Sequence, residues 1–190
     1  MHRRHPVRAG AAALALALAL AGELAHASGA PVVAAGMPMR EVGTGSLHWF
    51  GLHVYDARLA AAGERFDPEQ PFALTLRYAR DFKGERIAQS SIDEIRRLGY
   101  GTPADHERWL EAMRRVFPDV RRGDELTGAA LPGRGTRFYL NGQPIGAIDD
   151  PEFARAFYAI WLDPRTRARE LRAQLLGETR CAGGPAAARC

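Results

Sequence analysis

The chain has 190 residues, of which 46% are hydrophobic and 25% charged, and its formal net charge is +4. This length is enough for one domain with a proper core, and no internal repeat or linker divides it. Arginines are scattered among Asp and Glu, so the basic charge is weak evidence for a nucleic-acid or membrane partner, and we expect no nucleic-acid partner.

The N-terminal segment is typical of a cleavable signal peptide. Three arginines precede an Ala/Leu run over residues 11–21, which is shorter than the roughly 20 residues that a membrane-spanning helix needs. Residues 25–27, Ala-His-Ala, have the small-x-small pattern of a signal-peptidase site. We therefore expect cleavage after Ala27, removing residues 1–27 and leaving a periplasmic or secreted chain with no stable membrane insertion.

Residues 28–38 are mostly small and predict a flexible lead-in to a domain over residues 39–177. The first regular pattern, over residues 43–61, predicts one long strand or a bent pair of strands. It is apolar on both sides and therefore central in a sheet. On a single strand, His48 and His53 would face opposite sides and could not share a metal ion, so we expect no metal site.

The next pattern joins a strand to a helix. Residues 72–80 alternate as a strand with Tyr78 inward and Arg77 outward. Asp81 is then expected to cap a helix over residues 83–98.

The remaining elements each have a clear start or stop signal. They are a helix over residues 104–116 opened by Thr102-Pro103, a strand at Glu125–Leu131, a hairpin of Gly135–Leu140 and Gln143–Ile148 around Asn141-Gly142, a helix from Pro151 capped by Asp149 or Asp150, and a helix over residues 165–176 that stops at Gly177. The order strands, two helices, strands, two helices predicts an α+β domain with an antiparallel sheet and helices laid on one face.

Residues 178–190 form a tail that we expect to be flexible. Its cysteines, Cys181 and Cys190, could pair in an oxidising compartment, or the tail could be dispensable. A metal or redox site is disfavoured because no histidine lies nearby.

Few residues have the arrangement that catalysis requires. The chain has no Gly-x-Ser-x-Gly motif, and Gly-Arg-Gly at residues 133–135 lacks the Lys-Ser/Thr ending of a phosphate loop, so we expect no cofactor. Tyr55, Arg77, Tyr78 and Arg80 are the most interesting polar set. Neighbouring strands could bring a phenol and a guanidinium to one pocket mouth that suits a carboxylate. Alternatively, the two arginines solvate the outer face of the sheet.

A set of short motifs recurs in a fixed order along these elements. They are Gly43-Thr44-Gly45, residues 50–57 (FGLHVYDA), Phe117-Pro118-Asp119-Val120 with Gly123-Asp124, Gly135-Thr136 with Asn141-Gly142, and an apolar block from Phe153 to Gly177. In these motifs the chain resembles the chalcone-isomerase-like family, and more closely its exported bacterial branch, over residues 39–177. The resemblance implies an open-faced β-sandwich, a large antiparallel sheet covered on one face by a layer of helices, with a ligand cleft between.

That family contains plant enzymes that close a chalcone to a flavanone, plant fatty-acid-binding proteins, and bacterial proteins of largely undefined role. By resemblance, the arginine and threonine positions of the enzymes are Leu47 and Phe50, and their tyrosine position maps near Lys83. Ring closure needs a cation for the phenolate and donors for the enolate, and Leu47 and Phe50 supply neither. The resemblance therefore favours a non-catalytic member over an intramolecular lyase or isomerase.

An apolar cleft of this kind suits a hydrophobic or fatty-acid-like small molecule. The ligand-binding residues that we predict are Leu47, Phe50, Tyr55, Arg77, Tyr78 and Lys83. Fatty-acid-binding members use the replaced arginine for the carboxylate, so Arg77 or Arg80 would have to take that role. Two alternatives stay open: an isomerase of the chalcone-isomerase type, and a ligand-free structural or protein-interaction domain whose partner the sequence does not identify.

Overall fold

The sheet of this protein follows the order of the chain. The computed structural model describes residues 32–34, 37–63 and 65–178, and within them antiparallel strands β1 to β7 are hydrogen-bonded in sequence order. The strands are β1 (Val32–Ala34), β2 (Met37–Trp49), β3 (Leu52–Ala61), β4 (Phe72–Tyr78), β5 (Glu125–Leu131), β6 (Gly135–Leu140) and β7 (Gln143–Ile148). The helices are α1 (Gly84–Leu98), α2 (Pro103–Val116), α3 (Pro151–Leu162) and α4 (Arg169–Leu175).

The helices cover one face of the sheet, and this confirms the expected α+β architecture. Alternate residues of the central strands point toward the helices and are buried, because side chains alternate across a strand. One core joins them to the apolar faces of the helices; its larger members include Leu59, Phe72, Leu74, Trp109, Phe138, Phe153 and Phe157. Among the described residues, no helix is long and apolar enough to span a bilayer.

Two of the sequence predictions, the signal peptide and the pairing of the tail cysteines, concern residues that the structure does not describe. The signal peptide over residues 1–27 and the cysteines of the tail, Cys181 and Cys190, lie outside the described residues. Within the expected lead-in, residues 32–34 form β1, which pairs with β2 from Met37 to Met39. That part of the lead-in is the edge of the sheet.

Residues 43–61 belong to two strands joined by a tight turn, one of the two forms that the sequence left open. The turn is Phe50-Gly51, and both residues have positive φ, 49° and 76°, as a type I′ hairpin requires. The expectation that Phe50 lies inside a central strand is wrong, because this turn places it at the hairpin tip. His48 and His53 are then partners on neighbouring strands, with stacked rings 4.9 Å apart, so their expected opposite orientation is also wrong.

The start of α1 differs from the prediction in its cap. The side chain of Asp81 accepts a hydrogen bond from the N–H of Arg122 at 2.8 Å and does not cap the helix. Asp119 takes that role from a distant loop, since its carboxylate accepts from the N–H of Gly84 at 3.0 Å. A sequence pattern finds caps only near their helix, so this partner could not be predicted.

The connection between α3 and α4 is longer than predicted, and α4 begins at Arg169 instead of residue 165. Asp163 holds the intervening turn, because its carboxylate accepts from both the backbone and the guanidinium of Arg165. Thr166 donates to the carbonyl of Ile160 at 2.7 Å. These side-chain bonds compete with helical backbone bonds and delay the helix. At the other end of α3, Asp150 provides the cap, one of the two residues expected.

Candidate ligand-binding cleft

A cleft of about 1100 Å³ lies between the inner face of the sheet and helices α1, α3 and α4. Its interior is apolar; the side chains there include Leu47, Leu76, Phe117, Leu126, Phe157 and Ile160. Cavities of this size hold drug-sized molecules and are usually lined by hydrophobic side chains with a few polar groups. The cleft can therefore accommodate an extended apolar molecule.

One wall of the cleft is provided by α4, which lies directly on β2. A Cβ atom on Gly43 would come within 2.1 Å of the Gln174 carbonyl oxygen, and one on Gly45 within 2.0 Å of the Gln174 side-chain oxygen. Only glycine allows so close an approach of helix and strand. The Gly-x-Gly motif thus sets the position of the cleft wall that α4 provides.

Two phenols provide polar groups inside the cleft. Tyr55 and Tyr78 are cross-strand partners whose ring centroids are 6.1 Å apart, and the indole N–H of Trp161 donates to the Tyr55 hydroxyl at 2.8 Å. Desolvation raises the pKa of Tyr55 to about 12, although the bond from Trp161 acts in the opposite direction. Burial, and to a smaller extent the neighbouring Tyr55, also raises the pKa of Tyr78. Both phenols are neutral near pH 7 and can donate a hydrogen bond.

The mouth of the cleft carries charged side chains. Arg80, Arg86 and Arg169 line it and form no ion pair with any described residue. Glu94 also lines the cleft, but its carboxylate is paired with both Arg97 and Arg167. Asp81 and Glu170 are the other acidic lining residues. The three unpaired arginines are thus available to an anionic group at the mouth.

Comparison with known proteins shows the family of this chain. The profile described as chalcone isomerase-like matches residues 24–177. The chain belongs to the chalcone isomerase-like family. A crystal structure of a fatty-acid binding protein from Arabidopsis thaliana superposes on it with a TM-score of 0.58 at 13% sequence identity, covering 74% of this chain and 87% of that one. At such identity the likeness shows the fold alone. No curated protein matches the sequence.

In this chalcone isomerase-like domain, three of the six predicted site residues lie in the cleft. Leu47, Tyr55 and Tyr78 line it. Leu47 is the cross-strand partner of Tyr55, and Tyr55 that of Tyr78, so the three side chains form one row on the inner face of the sheet. Strand alternation explains why this part of the set comes together.

The other three predicted residues lie elsewhere. Phe50 is at the hairpin tip with 90% of its surface exposed, because the turn at Phe50-Gly51 removes it from the strand. Arg77 is on the outer face of the sheet between Asp56 and Glu125, since its neighbour Tyr78 points inward. Lys83 is on the surface in an ion pair with Asp119 at 2.6 Å. None of the three lines the cleft.

Some cleft residues are absent from the predicted set. Arg86, Ser90 and Glu94 of α1 line the cleft and recur at four-residue spacing, which places them on one helix face. That spacing is visible in the sequence, but it indicates a solvated face as readily as a cleft. Arg169 starts α4, whose first residue the sequence pattern misplaces. Trp161 belongs to the apolar block that begins at Phe153, but its bond to Tyr55 depends on a contact between distant segments.

A polar cluster at the edge of the cleft, to which Ser46 of the cleft lining belongs, does not have the order that nucleophilic catalysis needs. The hydroxyl of Ser46 donates to Asp56 at 2.6 Å, and His53 lies 2.9 Å from the same carboxylate oxygen. The hydrogen bond from Ser46 is the main reason why the pKa of Asp56 is lowered. Because the carboxylate lies between serine and histidine, the histidine does not activate the hydroxyl. Within the described ranges, no group of His, Cys, Asp and Glu could hold a metal ion.

Proposed function

We propose that this protein is an exported, non-catalytic carrier of a hydrophobic or fatty-acid-like small molecule. The observation that carries the proposal is the apolar cleft of about 1100 Å³ between sheet and helices. The likeness in fold to a fatty-acid binding protein supports it. A domain that worked only through its outer surface would not need an open cavity of this size, because interiors are normally closely packed.

The charges at the mouth support an amphipathic ligand with an anionic head group. An acyl chain would lie against Leu76, Phe117 and Phe157, and its carboxylate would meet the guanidinium of Arg80, Arg86 or Arg169 at the mouth. Of the two arginines expected from the sequence to bind a carboxylate, Arg80 rather than Arg77 would then take that role. Arginine offers a planar fork of donors that matches a carboxylate.

The absence of catalysis is part of the proposal. Leu47 stands at the position where the enzymes resembled by this chain carry arginine, and it lines the cleft as an apolar side chain. Phe50 lies outside the cleft, and the hydroxyl-bearing residues of β2 and β3 that line it are Thr44, Ser46 and Tyr55. The phenolate nucleophile of a ring closure would therefore lack a cation at the position of Leu47.

The first test is organic extraction of the purified mature protein followed by mass spectrometry against a mock purification. We expect a stoichiometric fatty acid or similar amphipathic molecule. An empty protein that also fails to bind a panel of fatty acids would contradict the proposal and favour a domain that acts through a protein partner. Turnover of a chalcone, followed by its loss of absorbance, would contradict the non-catalytic assignment.

The proposed contact between a carboxylate and the arginines at the mouth is tested with two ligands, a fatty acid and the fatty alcohol of equal length, and with a control variant. Replacing Arg80 and Arg86 together by Gln should weaken binding of a fatty acid about tenfold or more, since a hydrogen bond to a charged group contributes about 1.5–3 kcal/mol. Binding of the fatty alcohol of equal length should change little. Arg134→Gln is the control, because Arg134 is exposed in the β5–β6 turn at the other end of the sheet. An equal loss for acid and alcohol would refute a carboxylate at this rim.

Export is proposed from the leader pattern and has its own test. N-terminal sequencing of the protein recovered outside the cytoplasm should begin at Ser28. A chain that retains Met1 and stays in the cytoplasm would refute it.

A further inference from the structure

The tip of the β2–β3 hairpin is apolar and faces solvent. Trp49, Phe50 and Leu52 are 55%, 90% and 54% exposed, and they are the large hydrophobic side chains that are exposed in the described part of the chain. All three come from one turn. Single exposed hydrophobic residues are ordinary, but three grouped side chains with two aromatic rings mark a contact surface.

The backbone of this tip gives a second observation. Phe50 has a φ of 49°, a left-handed conformation that is unfavourable for an aromatic residue. In the β6–β7 turn the same position is held by Asn141, with a φ of 50° and followed by Gly142. Asn and Gly are the residues that such a turn prefers. Phe50 therefore contributes neither turn stability nor core packing, which indicates a role in contact with something outside the domain.

The tip is part of the cleft mouth. Trp49 and Leu52 line the cleft. The N–H of Ala79, just after β4, donates to the carbonyl of Val54 near the start of β3 at 2.9 Å. Arg80, the next residue, therefore lies at the same end of the sheet as the tip. Arg86 and Arg169 lie on the same rim. The fold thus brings three arginines that are far apart in the sequence to the lining of the cleft that Trp49 and Leu52 also line.

We propose that the β2–β3 tip inserts into the headgroup region of an anionic lipid bilayer, with Arg80, Arg86 and Arg169 against its surface. Aromatic side chains favour the membrane interface. Each arginine near an anionic surface strengthens binding by about fivefold. The contact is peripheral and requires no spanning segment. It goes beyond the proposed carrier function, because the tip can bind a bilayer whether or not the cleft is filled.

A bilayer fits this surface better than a protein partner does. The three side chains project from a single convex turn, whereas a stable protein interface covers about 800 Å² on each partner. A fluid headgroup layer accommodates a convex apolar tip without a shaped pocket. It also places the mouth of an apolar cleft where a lipid-like ligand can enter without crossing water.

The test is vesicle co-sedimentation of the mature chain. Vesicles contain phosphatidylcholine alone or with phosphatidylglycerol. We expect binding to the anionic vesicles and a blue shift of tryptophan emission, which reports on Trp49 because Trp109 and Trp161 are buried. Phe50→Asn should lower binding about tenfold, and it keeps the fold because Asn suits the turn. Arg80→Gln should lower binding several-fold, and the control Arg134→Gln should not.

Three outcomes would overturn the inference. They are no binding of the wild-type chain to anionic vesicles, equal binding by wild type and Phe50→Asn, and a dimer in solution that Phe50→Asn abolishes in the absence of lipid. The last result would assign the tip to a second copy of the chain.

The experiments distinguish a failure of the carrier function from a failure of membrane binding. Without vesicles, Phe50→Asn should bind a fatty acid as the wild type does, because Phe50 lies outside the cleft. A protein that binds vesicles but no fatty acid would refute the carrier function alone. A protein that binds fatty acid but no vesicle would refute the membrane contact alone.

Discussion

Phe50 combines a left-handed backbone with a bulky, exposed side chain, so its contribution to stability should be unfavourable. We expect Phe50→Asn to raise the free energy of unfolding by about 0.5–1 kcal/mol, since Asn tolerates this conformation. Denaturant titration measures the change. Gly51→Ala should instead lower the free energy of unfolding, because Gly51 also has positive φ and alanine does not tolerate it well. A destabilised Phe50→Asn would mean that the ring of Phe50 packs on the domain in solution.

Trp161 contributes to both the core and the cleft. It is 6% exposed, packs on Phe157 and donates to Tyr55. Trp161→Ala should lower the free energy of unfolding by about 3–5 kcal/mol, because it leaves a cavity and removes the donor. Trp49→Ala is the matched control and should change stability by less than about 0.5 kcal/mol, since Trp49 is exposed. A cost below about 1 kcal/mol for Trp161→Ala would contradict its burial.

At the scale of single elements, the contact of α4 with β2 depends on Gly43. Gly43→Ala should lower the free energy of unfolding by about 2–3 kcal/mol, because the new methyl group would meet the backbone of Gln174. Gly63→Ala is the control; the nearest atom to its added Cβ lies at 3.4 Å, and its stability should stay near wild type. Thermal unfolding compares the two. A neutral Gly43→Ala would show that α4 is not held against β2.

Most elements can be predicted because their signals are local. Asn141-Gly142 predicts the β6–β7 hairpin, and Pro151 after an aspartate cap predicts the start of α3; both predictions are confirmed. The hairpin at Phe50-Gly51 could be foreseen only as an alternative, because phenylalanine is not a turn residue. Similarly, the cap of α1 comes from Asp119, far along the chain, and no local pattern contains it.

The site is harder to predict than the fold. The inward row of Leu47, Tyr55 and Tyr78 follows from strand alternation once the strands are aligned. Arg86 and Arg169 could not be assigned to the same rim, because this requires knowing how α1 and α4 rest on the sheet. The prediction of Arg77 as a ligand-binding residue conflicts with the alternation of side chains along β4. Tyr78 points inward, so its neighbour Arg77 lies on the outer face of the sheet.

At the scale of the whole molecule, hydrogen-bonded aspartates should set its acid stability. The carboxyl groups of Asp56, Asp119, Asp124, Asp150 and Asp163 all have lowered pKa values, and Arg165 is the main cause for Asp163. A carboxylate whose pKa is lower in the folded state stabilises the fold above the unfolded pKa of about 4. That stability is lost as the pH falls from about 4 through the folded pKa.

Asp163→Asn should therefore reduce stability at neutral pH and make the loss below pH 4 less steep. Urea titrations between about pH 2 and pH 7 measure both effects. Asp93→Asn, at an exposed carboxylate, is the control and should change stability at neutral pH by less than about 0.5 kcal/mol. If the stability of Asp163→Asn falls below pH 4 as steeply as that of the wild type, Asp163 does not contribute to this loss.

The strand order has a consequence for synthesis of the chain. Each strand of the sheet pairs with its neighbour in sequence, so a chain that emerges from its N-terminus can add β2, β3 and β4 one after another. The partner of β4 comes only after α1 and α2 have been made. Until then β4 has an open edge, and its apolar face needs a cover if the nascent chain is not to aggregate. Helices α1 and α2 are made next, and their buried residues belong to the same core as those of β4, so apolar partners for this strand are available before β5 is made.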